Sequence, residues 1–260
     1  MYLSPKKLVK WLNFVYHTGM TTYQFLPKQE PQWKPIPKPA EIAESRLIDA
    51  ILDGSFPINS HLPGERELAN ALGVTRPTLR EALQRLERDG WIEIHQGKPT
   101  RVRDYWHEGK LGVLNALTEH PTHLPPDFIP DLLKVRLSMA PVFTAMAVTN
   151  APEKVVHFLE GRFTLQDSPH LFSNFDCALQ QELTLLSNNP VFIMIMNGFV
   201  DMYLNLAPHY FALPAARKHS FQYYEDLSAA AQKRDQGHAM EITEQVMADS
   251  LLFWQQTNFN

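Results

Sequence analysis

The sequence predicts a mainly α protein in two parts, an N-terminal unit of three short helices closed by a two-stranded hairpin, joined to a longer all-α helical bundle. Three observations predict it. Apolar residues recur at helical spacing between Ala40 and Asp89. The alternating segment Trp91-Ile92-Glu93-Ile94-His95 then turns at Gln96-Gly97 and returns as Pro99-Thr100-Arg101-Val102. Beyond Asp104, glycine and β-branched alternation become scarce and long apolar-periodic stretches take over.

Residues 1–38 read as an extension and linker. They mix basic and aromatic residues, then become a run containing Pro27, Pro31, Pro35, Pro37 and Pro39 that continues neither helix nor sheet. Within them Leu8 to Tyr16 has the spacing of a short amphipathic helix, and Met20 is an alternative start. The first regular helix is expected from Ala40 to Asp53, with Ile42, Leu47 and Ile51 among its apolar positions. Glu65 to Leu72 gives a second helix, ended by Gly73, whose missing Cβ suits the left-handed conformation that closes helices. Thr75 is placed to cap a third helix, in which Pro77 is tolerated in the first turn and Leu79, Ala82, Leu83 and Leu86 have core spacing up to Asp89. Helix, helix, turn, helix and hairpin is the order of a winged helix-turn-helix, here expected over 39–105. Helical stretches then follow at Asp131–Ala147, Leu179–Leu186, Val191–Leu206 and Ile242–Trp254 in an all-helical regulatory part over 106–260.

Charge divides along the same line. The chain carries −4 overall, but residues 1–40 hold six basic residues to one acidic, 41–103 nine to ten, and 104–260 nine to seventeen. Within the second segment, Arg66 to Arg103 holds eight basic to five acidic, so a basic surface fits on one element there, whereas the acidic remainder would be repelled by a phosphate backbone. The chain opens with no charged, apolar and small-residue cleavage pattern, and no uninterrupted apolar run has membrane-spanning length, so a cytoplasmic location is expected. Cys177, the one cysteine, is without an intrachain disulfide partner, in keeping with a reducing compartment. There is no Gly-rich phosphate loop, nucleophile elbow or His-Glu metal motif, which argues against an enzyme.

A helix that enters the major groove offers base edges its N-terminal residues, here Thr75, Arg76, Pro77, Thr78 and Arg80. Arg76 and Arg80 stand one turn apart, and the planar guanidinium fork matches O6 and N7 of guanine. Taken alone, two such arginines read equally as a solvated helix face. At the hairpin tip, Gly97 permits close backbone approach and Lys98 supplies a positive charge for phosphate or minor groove, although Gly97 also reads as a simple turn residue.

The run Leu62-Pro63-Gly64-Glu65-Arg66-Glu67-Leu68-Ala69, with Gly73-Val74-Thr75-Arg76, Leu79-Arg80-Glu81-Ala82-Leu83 and Leu86-Glu87-Arg88-Asp89-Gly90, closely resembles the GntR family of regulators. Arg88-Asp89-Gly90-Trp91, Gly97-Lys98-Pro99-Thr100 and His209-Tyr210-Phe211-Ala212, with Pro214 and Arg217, are similar to a branch of that family that governs fatty-acid metabolism and responds to long-chain acyl-CoA. The likeness covers about Pro39 to Trp254. It implies DNA contacts at Arg66, Thr75, Arg76, Thr78, Arg80, Gly97 and Lys98, a homodimer on a palindromic operator, and an acyl-CoA effector near Arg136, Tyr203, Tyr210, Ser250 and Trp254. It also implies repression of fatty-acid breakdown genes and activation of some unsaturated fatty-acid synthesis genes. The alternative effector is a different small carboxylate or lipid. Tyr and Trp at those positions also read as ordinary bundle core. Pro77 stands where the branch has threonine, and the wing reads His95-Gln96 where the branch has glutamine then histidine. Val246 replaces a tyrosine, Met247 a glycine and Phe259 a lysine. Many relatives hold a metal with one aspartate and three histidines; here Asp176 is kept, but those histidine positions read Gln180, Glu225 and Ala248, so no metal site is expected.

Overall fold

The computed structural model describes residues 36–256, which leaves the segment Leu8–Tyr16, nearly all of the expected extension and Phe259 outside the described residues. Packing divides the described chain into two units, 36–124 and 125–256.

The first unit opens with α1 (Pro39–Leu52), which buries Ala43, Leu47, Ile48 and Ile51 against α3. Helix α2 (Glu65–Leu72) is ended by Gly73 at φ 69°. Helix α3 (Arg76–Asp89) is capped by Thr75, whose hydroxyl accepts from the Thr78 amide at 3.4 Å, and it buries Leu79, Ala82, Leu83 and Leu86. Strands β1 (Ile92–Glu93) and β2 (Arg101–Val102) pair antiparallel, Ile92 opposite Val102 and Glu93 opposite Arg101. This is the winged helix-turn-helix expected, with a shorter wing ladder. Pro99 brings no N–H to pair, and Ile94 to Pro99 stand exposed. In compensation β2 also bonds the segment after α1: the Asn59 amide donates to the Val102 carbonyl, the Val102 amide to Ser60 and the Leu62 amide to Thr100, each at 2.9 Å.

Two further helices, α4 (Tyr105–Glu108) and α5 (Leu111–Glu119), follow the wing and were not anticipated. The start of α5 lies on the end of α3: the Lys110 amide donates to the Asp89 carbonyl at 3.0 Å and its ammonium to the Arg88 carbonyl at 2.9 Å. Gly90 is required at this contact, since its φ is 97° and a Cβ there would stand 3.0 Å from the Glu108 carbonyl oxygen. Residues up to Leu124 pack with the first unit.

The second unit is all-helical: α6 (Phe128–Asn150), α7 (Pro152–Leu159), α8 (Pro169–Leu186), α9 (Pro190–Phe211), α10 (Pro214–Gln232) and α11 (Gln236–Trp254). Helix α6 packs along α11 and α8, α9 along α8, and α10 against α7 and α11. Pro141 lies inside α6 and Pro208 inside α9. By length and composition alone α6 and α9 could each cross a membrane. Charged residues interrupt both, Asp131, Lys134 and Arg136 in α6 and Asp201 in α9, and both supply side chains to one buried polar network.

Candidate functional site

Each unit presents one cluster of the residues singled out above. In the first, α3 leads with Arg76 and Arg80, both exposed and on one face. Two side chains fix this turn. The Thr75 hydroxyl caps the helix and meets the Thr78 hydroxyl at 2.8 Å, and Leu79, wholly buried one position before Arg80, anchors the opposite side in the core. Thr78 is therefore half-buried and committed to the cap, whereas Arg66, in the first turn of α2, is exposed. The Arg80 Nε donates to Glu65 at 2.8 Å across the gap between α2 and α3; with side chains 65% and 42% exposed, this surface pair holds the guanidinium only loosely. Gly97, at φ 73°, and Lys98 form the exposed wing tip, closed by a 3.3 Å bond from the Lys98 amide to the His95 carbonyl. The arrangement offers an arginine-led helix end and a separate cationic loop, both facing solvent, from a rigid apolar base.

In the second unit the selected residues are buried or half-buried instead. Arg136 on α6 bonds Asp176 on α8 at 2.9 Å, with side chains 23% and 4% exposed. Asp176 also accepts from the Tyr224 hydroxyl of α10 at 2.8 Å and from the Tyr203 hydroxyl of α9, and the Arg136 guanidinium stacks over the Tyr203 ring at 5.3 Å. Four helices thus converge on one carboxylate. Burial works against the Arg136 charge, but Tyr203 and Asp176 outweigh it and the pKa is raised. Burial first, with the Asp176 charge contributing, pushes the Tyr203 and Tyr224 hydroxyls well above the usual phenol range. Tyr210 and Tyr223 are pushed up to about 12, chiefly by burial.

A small cavity lies beside this network, lined by Arg136, Asp176, Tyr210, Ser220, Met247 and Ser250 among others. It admits the centre of a water-sized sphere over about 10 Å³, one water's worth. Val246 and Met247, two of the departures from the resembling branch, both stand in its wall. Of the five expected effector residues, Arg136, Tyr210 and Ser250 reach the cavity, the last with its hydroxyl donating to the Met247 carbonyl at 2.5 Å. Tyr203 stands behind Asp176, and Trp254 is buried a turn beyond Ser250, outside the lining.

Sequence reasoning noticed Asp176 only as a remnant of a metal set; its oxygens are taken by a guanidinium and two phenols. It missed Ser220, Tyr223 and Tyr224 altogether, because it did not foresee α10. Arg217, noted for its motif, is a brace: it donates to Asp167, to the Phe211 carbonyl at 2.6 Å and to the Ala212 carbonyl at 3.2 Å, satisfying the end of α9.

Family comparison agrees with this two-part layout. Residues 39–102 match the model of bacterial regulatory proteins of the gntR family, and residues 103–260 match that of the FadR C-terminal domain. A fatty acid metabolism regulator protein of Proteus mirabilis (strain HI4320) is 35% identical over 83% of this chain and 90% of its own length. One of Shewanella halifaxensis (strain HAW-EB4) is 36% identical over 84% and 91%. Among solved structures, the Listeria monocytogenes protein Lar, described as controlling expression of the agr system, superposes with a TM-score of 0.55 at 15% identity over 86% of this chain and 99% of that one, a likeness of fold.

Proposed function

The chain belongs to the GntR family of bacterial regulatory proteins, in the branch that carries a FadR C-terminal domain, and from this premise we propose that it regulates fatty-acid metabolism by binding a palindromic operator as a homodimer and leaving it when long-chain acyl-CoA occupies the second unit. It acts in the cytoplasm, represses fatty-acid degradation genes and activates genes of unsaturated fatty-acid synthesis. The observation that carries the proposal is the coexistence, in one chain, of an outward-facing arginine-led helix and a buried polar cluster beside a small cavity.

On the DNA, Arg76 and Arg80 read base edges while Arg66 and Lys98 meet phosphates and fix register, joined by whichever of the Thr75 and Thr78 hydroxyls is not donating to the other, with Gly97 letting the wing backbone approach. To do so Arg80 exchanges Glu65 for a base, at little cost because that pair is exposed. In the second unit Arg136, Tyr203, Tyr210, Ser250 and Trp254 form the effector region. A cavity of one water's size holds no acyl chain, so entry must part the helices around it, and burying the chain contributes about 0.8 kcal/mol per methylene toward that work. Release follows only if the effector prefers the parted state, since equal affinity for both shifts nothing.

The same small cavity, with Met247 filling its wall and Arg136 at its edge, favours a second reading in which the effector is a short carboxylate. One titration decides. DNA fragments selected by the protein from genomic DNA are labelled, and complex release is followed by anisotropy with oleoyl-CoA, octanoyl-CoA, oleate and short dicarboxylic acids. Release by oleoyl-CoA well below the concentration of any other compound is the expected result. Release by short acids alone rejects the acyl-CoA effector, and failure to select any fragment rejects the regulator.

A further inference from the structure

The two strands of the wing share only two residue pairs, and the backbone bonds from residues 59–62 hold β2 alone, so side chains at the base help set the direction in which Gly97 and Lys98 project. Those side chains converge on Glu108, in the last turn of α4. The Arg101 Nη2 donates to both Glu108 oxygens, at 3.1 and 3.3 Å, the Arg103 Nη1 donates at 3.2 Å, and the Asp104 amide at 3.3 Å. Arg101 reaches further, to Glu93 at 3.0 Å and Asn59 at 2.8 Å, and Arg103 donates to the Ile92 carbonyl at 3.1 Å. Arg101 and Arg103 both lie on or next to β2, while the Glu108 backbone sits against Gly90 at the end of α3. One carboxylate thus ties the returning wing strand to the segment docked on the arginine-led helix.

We propose that Glu108 is a positioning residue for DNA recognition: it sets the wing relative to α3 and withholds the Arg101 and Arg103 charges from the phosphate backbone. The inference rests on the DNA-binding reading above. Discrimination between operator and random DNA then depends on Glu108 although its carboxylate touches no base, because it fixes where Lys98 lands and keeps two non-selective cations occupied.

The test is a double-substitution cycle of Glu108→Ala with Lys98→Ala, measured on operator and on random duplex across a salt series. In Glu108→Ala the operator-to-random affinity ratio falls about fivefold, and the slope of log affinity against log salt steepens by up to about two as both arginines reach phosphates. Wing amides 95–98 exchange faster with solvent, and the losses from Lys98→Ala and Glu108→Ala are not additive, since one acts through the other. Should Glu108→Ala fail to fold, Glu108→Gln, which keeps an acceptor and the shape without the charge, carries the same expectation at smaller size. An unchanged ratio and slope with additive losses, in a parent that binds its operator, overturns the inference alone. A parent with no affinity for DNA removes the reading on which it rests and the inference with it.

Discussion

The two units solve opposite problems. In the first, the core is apolar, with Leu79, Leu83, Leu86, Trp91 and Ile92 buried, and every charged residue proposed to touch DNA is exposed. In the second, the residues proposed to work are the core: Arg136, Asp176, Tyr203, Tyr224 and Ser250 take positions that aliphatic side chains would fill in an ordinary bundle. The difference teaches where change is tolerated. Surface arginines on a capped helix can be exchanged with little effect on folding, whereas a buried ion pair penalises the loss of either partner by far more than its presence stabilises.

The contrast is broken most forcefully at Asp176. Asp176→Ala strands the Arg136 charge and removes the acceptor of two tyrosines, so the second unit should lose about 3–5 kcal/mol in urea unfolding while the first keeps its transition. A loss below 1 kcal/mol would mean the cluster is solvated and the contrast false. Alkali probes the same difference. Tyr210 and Tyr223 have folded pKa values of about 12 against 10.0 in the free side chain. Their stabilisation is complete below pH 10 and is lost as pH rises toward 12, by roughly 2 kcal/mol each at the upper end. Far-UV circular dichroism between pH 9 and 12 should show the helical bundle failing from about pH 10; a bundle equally stable at both ends would place those hydroxyls in water.

The first unit responds differently. Arg80→Ala should weaken operator binding by about 1–3 kcal/mol and relax base choice at one position, with unfolding altered by less than about 0.5 kcal/mol. An operator footprint and affinity identical to the parent would remove Arg80 from the reading surface. Thr75→Ala deletes the cap of α3 and, its bond to the Thr78 amide being long at 3.4 Å, should cost about 0.5–1 kcal/mol of stability, measured by thermal melting. Smallest of all, Lys98→Ala should leave melting unchanged and lower the salt slope of DNA binding by about one.

Legibility in the sequence follows the same division. The first three helices and the hairpin could be read because each is punctuated locally, by Thr75, Pro77, Gly73 and Gly90, and because its working residues are neighbours in the chain. The wing was read too long, as alternation marks strand propensity but says nothing of Pro99's missing donor. In the second unit, α6, α8, α9 and α11 announced themselves by apolar period, but α10 did not. Its inward face mixes Arg217, Ser220, Tyr223, Tyr224 and Ser228 with alanines and a single large aliphatic residue, Leu227, so a pattern built on large aliphatic residues does not find it. The Asp176 cluster was illegible for a related reason: its members come from four helices, and only folding makes neighbours of Arg136 and Tyr224.

Pro208 gives α9 an unusual mechanical property. With no N–H to offer, it leaves the Leu204 carbonyl without its rung, two residues before Tyr210. The last turn nevertheless stays helical to Phe211, and the next helix adds a clasp, the Arg217 guanidinium gripping the carbonyls of Phe211 and Ala212. Tyr210 therefore rides on a segment that lacks one internal rung and is fastened in part from outside its own spiral.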